Sequence, residues 1–337
     1  MPSISIKFMR EPNVALLGYG YWGKNLARNL HEMGVLKLVC DPSGEARKRF
    51  QGQISTVGVE ESFEHVLTNP SVEAIVLATP AETHFHLAAD ALRNGKDVFV
   101  EKPLALKASE GAELCELAEK NGRVLMVGHL LEYHPAVEAM KSLVSEGKLG
   151  GINYIYSNRL NFGKVRTEEN ALWSFAPHDV AVILRLAGRL PESVQCSGGE
   201  FLSTGLADVT LSSLSFSSNL KAHIFVSWLN PFKEQKLVVT GAKRMAVFDD
   251  TCTDKLMLYD QRVEFEQDLP VLKKEGTDNI PLPEVEPLRA ECEHFVTCVK
   301  QRRKPLTDGE SGLRVLQVLE ACQESLENDG RRVFLNE

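Results

Sequence analysis

The first 130 residues alternate short apolar runs with stretches that have helical spacing or helix-stop signals. The apolar runs predict six strands, at residues 13–17, 35–40, 54–57, 73–78, 98–100 and 124–127. The run at residues 73–78 is nearly all apolar, which is typical of a strand covered on both faces. Strands that alternate with helices predict a parallel, doubly wound α/β sheet with helices on both sides.

The pattern changes after a predicted helix at residues 135–146. A period-two run begins at Ile152, and several more strands with short polar turns are expected up to residue 265. Helices are expected at residues 178–186, 288–301 and 309–328, and the segment 268–287, rich in proline and charge, is expected to be a connecting loop. We therefore predict two domains, residues 1–130 and residues 131–337, the second built around an open, mostly antiparallel sheet.

Composition narrows the class of protein. A chain of 337 residues with 43% hydrophobic and 25% charged residues is ordinary for a globular protein of about two domains, and this excludes a disordered chain. The net charge of −8 argues against a nucleic-acid partner, because phosphate binding needs a basic surface. The N-terminus lacks the apolar core of a signal peptide and the apolar runs are too short to span a bilayer, so we expect no membrane partner.

The cysteines favour a reduced, cytoplasmic protein. The chain has seven, and they are scattered without Cys-x-x-Cys spacing. On a helix only Cys298 could approach His294, and His84 and His86 have no acidic neighbour that would complete a metal site. We therefore expect Cys292 and Cys298, on either side of His294, to be ordinary buried cysteines, and we expect no metal.

A glycine motif indicates a nucleotide site. Gly18-Tyr-Gly20-Tyr-Trp-Gly23 follows the first predicted strand and opens a helix, where glycines allow a tight turn, close approach to a pyrophosphate and close helix–strand packing. Asp41 ends the second strand, where a carboxylate can accept hydrogen bonds from ribose hydroxyls and would repel a 2′-phosphate. The motif thus predicts a Rossmann dinucleotide-binding domain that prefers NAD to NADP, since arginine appears only further along, at positions 47 and 49.

Candidate catalytic groups follow the strands, since open α/β sheets bind ligands at their carboxyl edge. Lys102, in Glu101-Lys102-Pro103 after the fifth strand, could hydrogen-bond a substrate hydroxyl. His178, at the predicted start of a helix in the second domain, could accept the hydroxyl proton. Taken alone, a lysine in this position is more often part of a charged turn before proline, and a histidine at a helix start is more often a cap or a packing residue. His129 and His134, after the sixth strand, could line the cleft or merely pack.

One basic cluster stands out in the acidic chain. Arg159, Lys164 and Arg166 fall within residues 158–166. Such side chains could hold an anionic substrate such as a sugar diphosphate. The alternative is an exposed strand end with solvated charges.

Taken in order, the motifs GYGYWG, CDP, ATPAETH, EKPLA and APHD resemble the glucose-fructose oxidoreductase, inositol dehydrogenase and MocA family over essentially the whole chain. The resemblance implies an NAD-binding Rossmann domain and a C-terminal α/β domain with an open, mostly antiparallel sheet. In that family the exposed sheet face makes subunit contacts, so a homodimer or homotetramer is expected. The expected activity is NAD-dependent oxidation of a CH–OH group of a sugar.

The resemblance also assigns residues to roles. It implies that Lys102 and His178 are catalytic. Together with the glycine motif, it implies cofactor contacts by Gly18, Gly20, Tyr21, Trp22, Gly23, Asp41, Thr79, Pro80, His84, Glu101, Lys102 and His129. With the basic cluster, it implies substrate contacts by Lys102, Arg159, Lys164, Arg166, Trp173, Ser174 and His178.

A narrower branch is also indicated. Residues 158–160, 170–179, 291–295 and 305–309 look like those of sugar-nucleotide 3-dehydrogenases. Such enzymes oxidise the C3 hydroxyl of a UDP-N-acetylhexosamine or its uronic acid, and the 3-keto product feeds amino-sugar synthesis for surface glycans such as lipid A or O-antigen. A UDP-sugar is therefore the expected substrate.

One departure keeps other functions open. The family usually has an aspartate four residues before the histidine, and here that residue is Ser174. Asp179, next to His178, points elsewhere if the segment is helical. The alternatives are a free-sugar or inositol dehydrogenase, a non-catalytic sensor that binds a dinucleotide or sugar, and a glycosidase that oxidises its substrate transiently. The retained Lys102 and His178 disfavour the sensor.

Overall fold

The computed structural model describes residues 10–335 and divides into two compact units. The first unit holds the described chain up to Gly128 together with Leu288–Leu313. The second holds His129–Pro287 and the described chain from Arg314 onward.

The first unit contains a parallel sheet with the strand order β3-β2-β1-β4-β5-β6. Its strands are β1 (Val14–Leu17), β2 (Leu36–Cys40), β3 (Gly58–Glu60), β4 (Ala74–Leu77), β5 (Asp97–Glu101) and β6 (Leu125–Gly128). Every residue of β1 and β4 is buried, as their all-apolar sequences predict. The third strand lies after the predicted residues 54–57, because the backbone N–H of Ile54 donates to Phe50 and ends the preceding helix.

Helices connect these strands and confirm the predicted alternation. They are α1 (Gly23–Glu32), α2 (Gly44–Gln53), α3 (Phe63–Thr68), α4 (Ala81–Arg93) and α5 (Ala108–Lys120). The strand order reverses direction between β1 and β4, and the carboxyl ends of β1, β4 and β5 therefore lie side by side. This is the edge at which doubly wound sheets bind ligands.

The second unit contains a larger sheet with the order β14-β13-β12-β11-β7-β10-β9-β8-β15. Its strands are β7 (Ile152–Phe162), β8 (Ser193–Gly199), β9 (Val209–Ser215), β10 (Lys221–Ser227), β11 (Leu229–Gly241), β12 (Met245–Asp249), β13 (Leu256–Glu266), β14 (Leu269–Asn279) and β15 (Val333–Phe334). Neighbouring strands are antiparallel except β7 and β10, which are parallel, so the prediction of a mostly antiparallel sheet is confirmed.

The loop expected at residues 268–287 is wrong over its first half, where β14 pairs with β13. Its charged residues form cross-strand ion pairs, Lys273 with Glu266 at 2.7 Å and Arg262 with Glu275 at 2.8 Å. The charges that suggested a loop thus occupy one face of a hairpin.

Four further helices are α6 (Pro135–Ser145), α7 (Ala171–Ala187), α8 (Pro287–Gln301) and α9 (Gly309–Glu327). The predicted start of α7 at His178 is wrong. The helix begins at Ala171, because the side chain of Asn170 accepts a hydrogen bond from the N–H of Trp173 and caps it. Pro177 therefore lies inside the helix. No helix in the described chain combines the length and the apolar character needed to cross a membrane.

A division of the chain at residue 130 would place Leu288–Leu313 in the second domain, whereas the structure places this segment in the first unit. The ring of Phe295 on α8 packs against Phe99 on β5, with centroids 5.6 Å apart. Arg302 donates to Asp97 at 2.7 Å, and the backbone N–H of Val127 on β6 donates to Thr307 at 2.8 Å. These contacts join a late segment of the chain to the edge of the first sheet.

Candidate functional site

The glycine motif forms the turn between β1 and α1. Gly18 has φ +89°, and a Cβ there would lie 2.5 Å from the carbonyl oxygen of Ala78. A Cβ on Gly23 would lie 2.1 Å from the carbonyl oxygen of Gly18, whereas a Cβ on Gly20 would meet no atom of the described chain within 4 Å. The first and third glycines are therefore required by packing, and the second leaves open space above the turn.

The helix that follows this turn is suited to an anion. Among the described residues no side chain caps the N-terminus of α1, and its first turn contains no acidic residue. The N–H of Asn25 donates to the carbonyl oxygen of Trp22 at 2.9 Å. The N–H groups before it and the positive end of the helix dipole are directed to where an anion would lie. Tyr21, at the middle of the motif, is 90% exposed. The turn, the open space at Gly20 and this helix end fit the pyrophosphate of a dinucleotide.

Asp41 follows β2 and holds the turn from the side. One carboxylate oxygen accepts the backbone N–H of Tyr19 at 2.7 Å, and the other accepts the N–H of Ser43 at 2.8 Å. A carboxylate oxygen can accept more than one hydrogen bond, so both keep capacity for ribose hydroxyls.

The two arginines after β2 are engaged elsewhere. Arg47 donates to the backbone carbonyl of Asp41 at 2.6 Å and to the carboxylate of Glu61 at 2.6 Å. Arg49 donates to the carbonyl of Tyr19 at 3.2 Å. These contacts occupy cations that would otherwise be available to a 2′-phosphate.

Glu101 connects the glycine turn to the end of β5. Its carboxylate accepts the indole N–H of Trp22 at 2.5 Å. A Cβ on Gly128 would lie 2.8 Å from the second carboxylate oxygen, so a glycine at the end of β6 makes room for this side chain. Burial raises the pKa of Glu101 to about 7, against the lowering effects of the Trp22 hydrogen bond and of Lys102.

The raised pKa of Glu101 predicts a pH-dependent stability. The pKa of Glu101 in the folded protein lies above the usual 4.5. The stabilisation that its protonated carboxyl group provides is therefore fully present below about pH 4.5 and is lost as the pH rises through 7. Between pH 5 and pH 8, we expect the free energy of unfolding of Glu101→Gln to increase by about 2 kcal/mol relative to that of the wild type. Urea unfolding across this range measures it, with the exposed Glu82→Gln as the control. Parallel pH profiles for all three proteins would contradict the expectation.

The end of β4 lies beside that of β5. The hydroxyl of Thr83 donates to the carbonyl of Pro80 at 2.7 Å and lies 2.8 Å from the hydroxyl of Thr79. His84, one residue later on α4, is only 1% exposed, and its two ring nitrogens face the carbonyl oxygens of Thr79 and Pro103. His84 therefore lies behind this edge, and its ring nitrogens are not available to a cofactor.

Lys102 is half-buried at the same edge, directly after β5. The peptide bond that links it to Pro103 is cis. The structure thus brings the glycine motif, Asp41, the Thr79-Pro80 turn and Lys102 to one edge of the first sheet, as the sequence predicts. His129, which follows β6, is buried at the start of the second unit.

The second unit places its candidates on α7. His178 is half-buried in the middle of the helix, and Ser174 is buried one turn earlier. The indole N–H of Trp173 donates to the side-chain oxygen of Gln323 at 3.1 Å, and Asn170 donates to the same oxygen at 2.9 Å. Gln323 on α9 fixes the start of α7, and nothing in the sequence pattern signalled it.

Asp179, next to His178, forms a buried ion pair. Its carboxylate accepts the Nε of Arg159 at 2.7 Å, the Nη2 of Arg159 at 3.1 Å and the hydroxyl of Ser157 at 2.6 Å. Burial alone would lower the pKa of Arg159. The carboxylate of Asp179 more than compensates, and the pKa of Arg159 is raised. Arg159 is thus bound inside the unit, between β7 and α7, and its guanidinium is not a free cation for a substrate.

The other two basic candidates lie in the loop after β7. Lys164 is exposed, and Arg166 is half-buried with its Nε 3.8 Å from the carboxylate of Glu169. The structure therefore separates the predicted cluster. Arg159 has an internal partner, while Lys164 and Arg166 stay predicted substrate contacts.

Comparisons with known proteins agree with this arrangement. The family model described as "Oxidoreductase family, NAD-binding Rossmann fold" matches residues 12–129. The family model for the GFO/IDH/MocA C-terminal domain matches residues 137–247. Together they match more than half of the chain.

Three relatives illustrate the range of the family. A UDP-N-acetylglucosamine 3-dehydrogenase from Acidithiobacillus ferrooxidans is 25% identical over 91% of this chain and 95% of its own. A scyllo-inositol 2-dehydrogenase (NAD⁺) from Bacillus subtilis is 25% identical over 93% and 94%. A 2,7-anhydro-N-acetylneuraminate hydratase from Mediterraneibacter gnavus is 26% identical over 72% and 68%.

The fold is shared as well. The solved structure of the Acidithiobacillus ferrooxidans enzyme has a TM-score of 0.84 over 96% of this chain and 100% of its own, at 22% identity. The chain belongs to the glucose-fructose oxidoreductase, inositol dehydrogenase and MocA family, and it is an oxidoreductase with an NAD-binding Rossmann domain.

Proposed function

We propose that this protein oxidises a secondary hydroxyl, at C3, of a UDP-N-acetyl sugar to the ketone, with NAD⁺ as oxidant. The observation that carries the proposal is the position of Lys102. It follows β5 directly, at the edge where the glycine turn and Asp41 lie, and Glu101 before it is hydrogen-bonded to Trp22 of that turn. A lysine held beside a dinucleotide turn has the place needed to act on a substrate hydroxyl.

The residues proposed to hold the cofactor divide its parts between them. The backbone of the glycine turn and the N-terminus of α1 take the pyrophosphate. Asp41 takes the adenosine ribose, and the Thr79-Pro80 turn with Glu101 borders the nicotinamide end. NAD⁺ held there supplies the acceptor for the hydride that leaves the carbon bearing the hydroxyl.

Lys102 and His178 are the proposed catalytic residues. The ammonium group of Lys102 donates a hydrogen bond to the substrate hydroxyl oxygen and stabilises negative charge on it. A ring nitrogen of His178 accepts the hydroxyl proton. The electrons of the O–H bond then form the C=O bond as the electrons of the C–H bond leave with the hydride. Ser174, where the family usually has an aspartate, adds no charge to this site.

Asp41 is expected to set the preference for NAD over NADP. Its carboxylate would repel a 2′-phosphate, and Arg47 and Arg49 are already engaged. We expect Asp41→Ala to raise the ratio of kcat/KM for NADP to that for NAD by at least about tenfold. Steady-state kinetics with both cofactors measures the ratio. Equal losses with both cofactors would mean that Asp41 acts only by bracing the turn through Tyr19 and Ser43.

The choice of a UDP-sugar rests on two supports. The relative that acts on UDP-N-acetylglucosamine matches nearly the whole chain, and Lys164 and Arg166 offer cations for a diphosphate. The inositol dehydrogenase matches equally well, so a free sugar or inositol is the second candidate substrate.

We propose that the reaction takes place in the cytoplasm. All seven cysteines lie in the described chain and none of them is in a disulfide, as is usual for proteins of that compartment. We also propose a homodimer or homotetramer, formed through the sheet of the second unit.

The substrate proposal is tested by NADH formation at 340 nm with a panel of UDP-sugars, free sugars and inositols. We expect turnover with a UDP-N-acetylhexosamine or its uronic acid, and a loss of at least tenfold in kcat/KM in the double variant Lys164→Ala/Arg166→Ala. Preferred turnover of an inositol or free sugar, unaffected by the double variant, would overturn the UDP-sugar assignment. If no compound yields NADH and none is converted, a non-catalytic sensor would be favoured. If product forms without NADH, a glycosidase that oxidises its substrate transiently would be favoured.

A further inference from the structure

His84 faces two backbone carbonyls on adjacent strand ends. It lies in the first turns of α4 and is 1% exposed. Its Nδ1 lies 2.7 Å from the carbonyl oxygen of Pro103, and its Nε2 lies 3.0 Å from that of Thr79. One imidazole thus spans the turn after β4 and the turn after β5.

The ring can donate to only one of these oxygens at neutral pH. Burial lowers the pKa of His84, although both carbonyls and Glu82 favour the charged form. The neutral ring carries a single N–H, and a carbonyl oxygen can only accept. We assign that proton to Nδ1, because its distance to the carbonyl oxygen of Pro103 is the shorter of the two, 2.7 Å against 3.0 Å to that of Thr79.

We propose that His84 is a positioning residue for Lys102. Its Nδ1–H holds the carbonyl of Pro103, the residue directly after Lys102, and so fixes the backbone from which the lysine side chain projects. This inference rests on the proposed function, because it concerns the lysine that acts on the substrate hydroxyl. A small displacement of such a group is costly, since a shift of about 1 Å can lower a rate about 100-fold.

Two conservative variants separate the two ring nitrogens. The amide nitrogen of asparagine occupies the place of Nδ1, and that of glutamine occupies the place of Nε2. We expect His84→Asn to keep kcat within about fivefold of the wild type, and both His84→Gln and His84→Ala to lower it 10- to 100-fold. His86→Ala is the matched control, because His86 is exposed on the same helix; its kcat should not change.

A second readout does not depend on turnover. Acetylation of Lys102 by a small reagent, followed by peptide mass spectrometry with the exposed Lys107 as internal reference, reports how firmly Lys102 is held. We expect its relative rate to rise at least threefold in His84→Gln and His84→Ala but not in His84→Asn, at equal melting temperatures for the Asn and Gln variants. NADH affinity, measured by fluorescence, should change less than threefold.

The outcomes distinguish this inference from the proposed function. If the wild type oxidises nothing in the panel but the acetylation pattern is found, the proposed function fails and the positioning of Lys102 by His84 stands. If Asn and Gln variants lose turnover equally, or if Lys102 reacts at the wild-type rate in all of them, His84 does not position Lys102.

Discussion

We expect Lys102→Ala to lower kcat by about 1,000-fold while NADH affinity changes less than about threefold. The size follows from the two tasks proposed for the lysine, donation to the substrate oxygen and stabilisation of negative charge on it. The cofactor turn does not depend on this side chain, because Gly18, Gly23 and Asp41 make their contacts without it. Steady-state kinetics and NADH fluorescence titration measure the two quantities.

His178→Ala should lower kcat to a similar extent, and the double variant should be little worse than either single variant, because both residues are proposed to act on the same hydroxyl. Lys107→Ala is the matched control, since Lys107 is exposed on the same segment of chain. A Lys102→Ala enzyme that keeps wild-type kcat would contradict the proposed chemistry, and a loss of NADH binding alone would reassign Lys102 to the cofactor.

The second large effect is expected on stability. Asp179→Ala should lower the free energy of unfolding of the second unit by about 3–5 kcal/mol, because it leaves the buried guanidinium of Arg159 without its carboxylate. The hydroxyl of Ser157 would lose the same acceptor. Urea unfolding followed by the fluorescence of Trp173 and Trp228, both in the second unit, measures the change.

A more exposed pair in the same unit provides the control. Arg244 lies 2.7 Å from the carboxylate of Asp260, and Arg262 lies 3.1 Å from it. Asp260→Ala should cost at most about 1 kcal/mol, because solvent screens these pairs. Equal costs for the two aspartate variants would mean that the Arg159–Asp179 pair is no more important than a surface pair. Arg159→Lys should reduce stability with little change in KM for the sugar nucleotide, whereas a specific rise in KM would restore Arg159 as a substrate contact.

The first unit could be predicted well because its signals are local. The strands β1 and β4 are short all-apolar runs, and burial on both faces is the only environment that suits them. The glycine motif can also be recognised from a short stretch of sequence. Gly18 is required by its contact with Ala78, directly after the neighbouring strand β4, and Gly23 is required by its contact with Gly18.

The features that were missed depend on partners distant in sequence. Arg159 reads as a surface cation until β7 and α7 pack and bring Asp179 against it. The charged hairpin strand β14 has a loop-like composition, and only its pairing with β13 satisfies it. The true start of α7 depends on the cap by Asn170, and the helix continues through Pro177, although a proline usually marks a helix boundary. Side-chain pairing of this kind is not encoded in periodicity.

The proposed oxidation can be followed directly through the hydrogen at C3 of the sugar. The protein is incubated with NAD⁺ and UDP-N-acetylglucosamine carrying deuterium at C3, and the recovered cofactor is examined by mass spectrometry. We expect NADH one mass unit heavier than the unlabelled form, in amounts equal to the 3-keto product. Cofactor that stays oxidised, or NADH without deuterium, would contradict it.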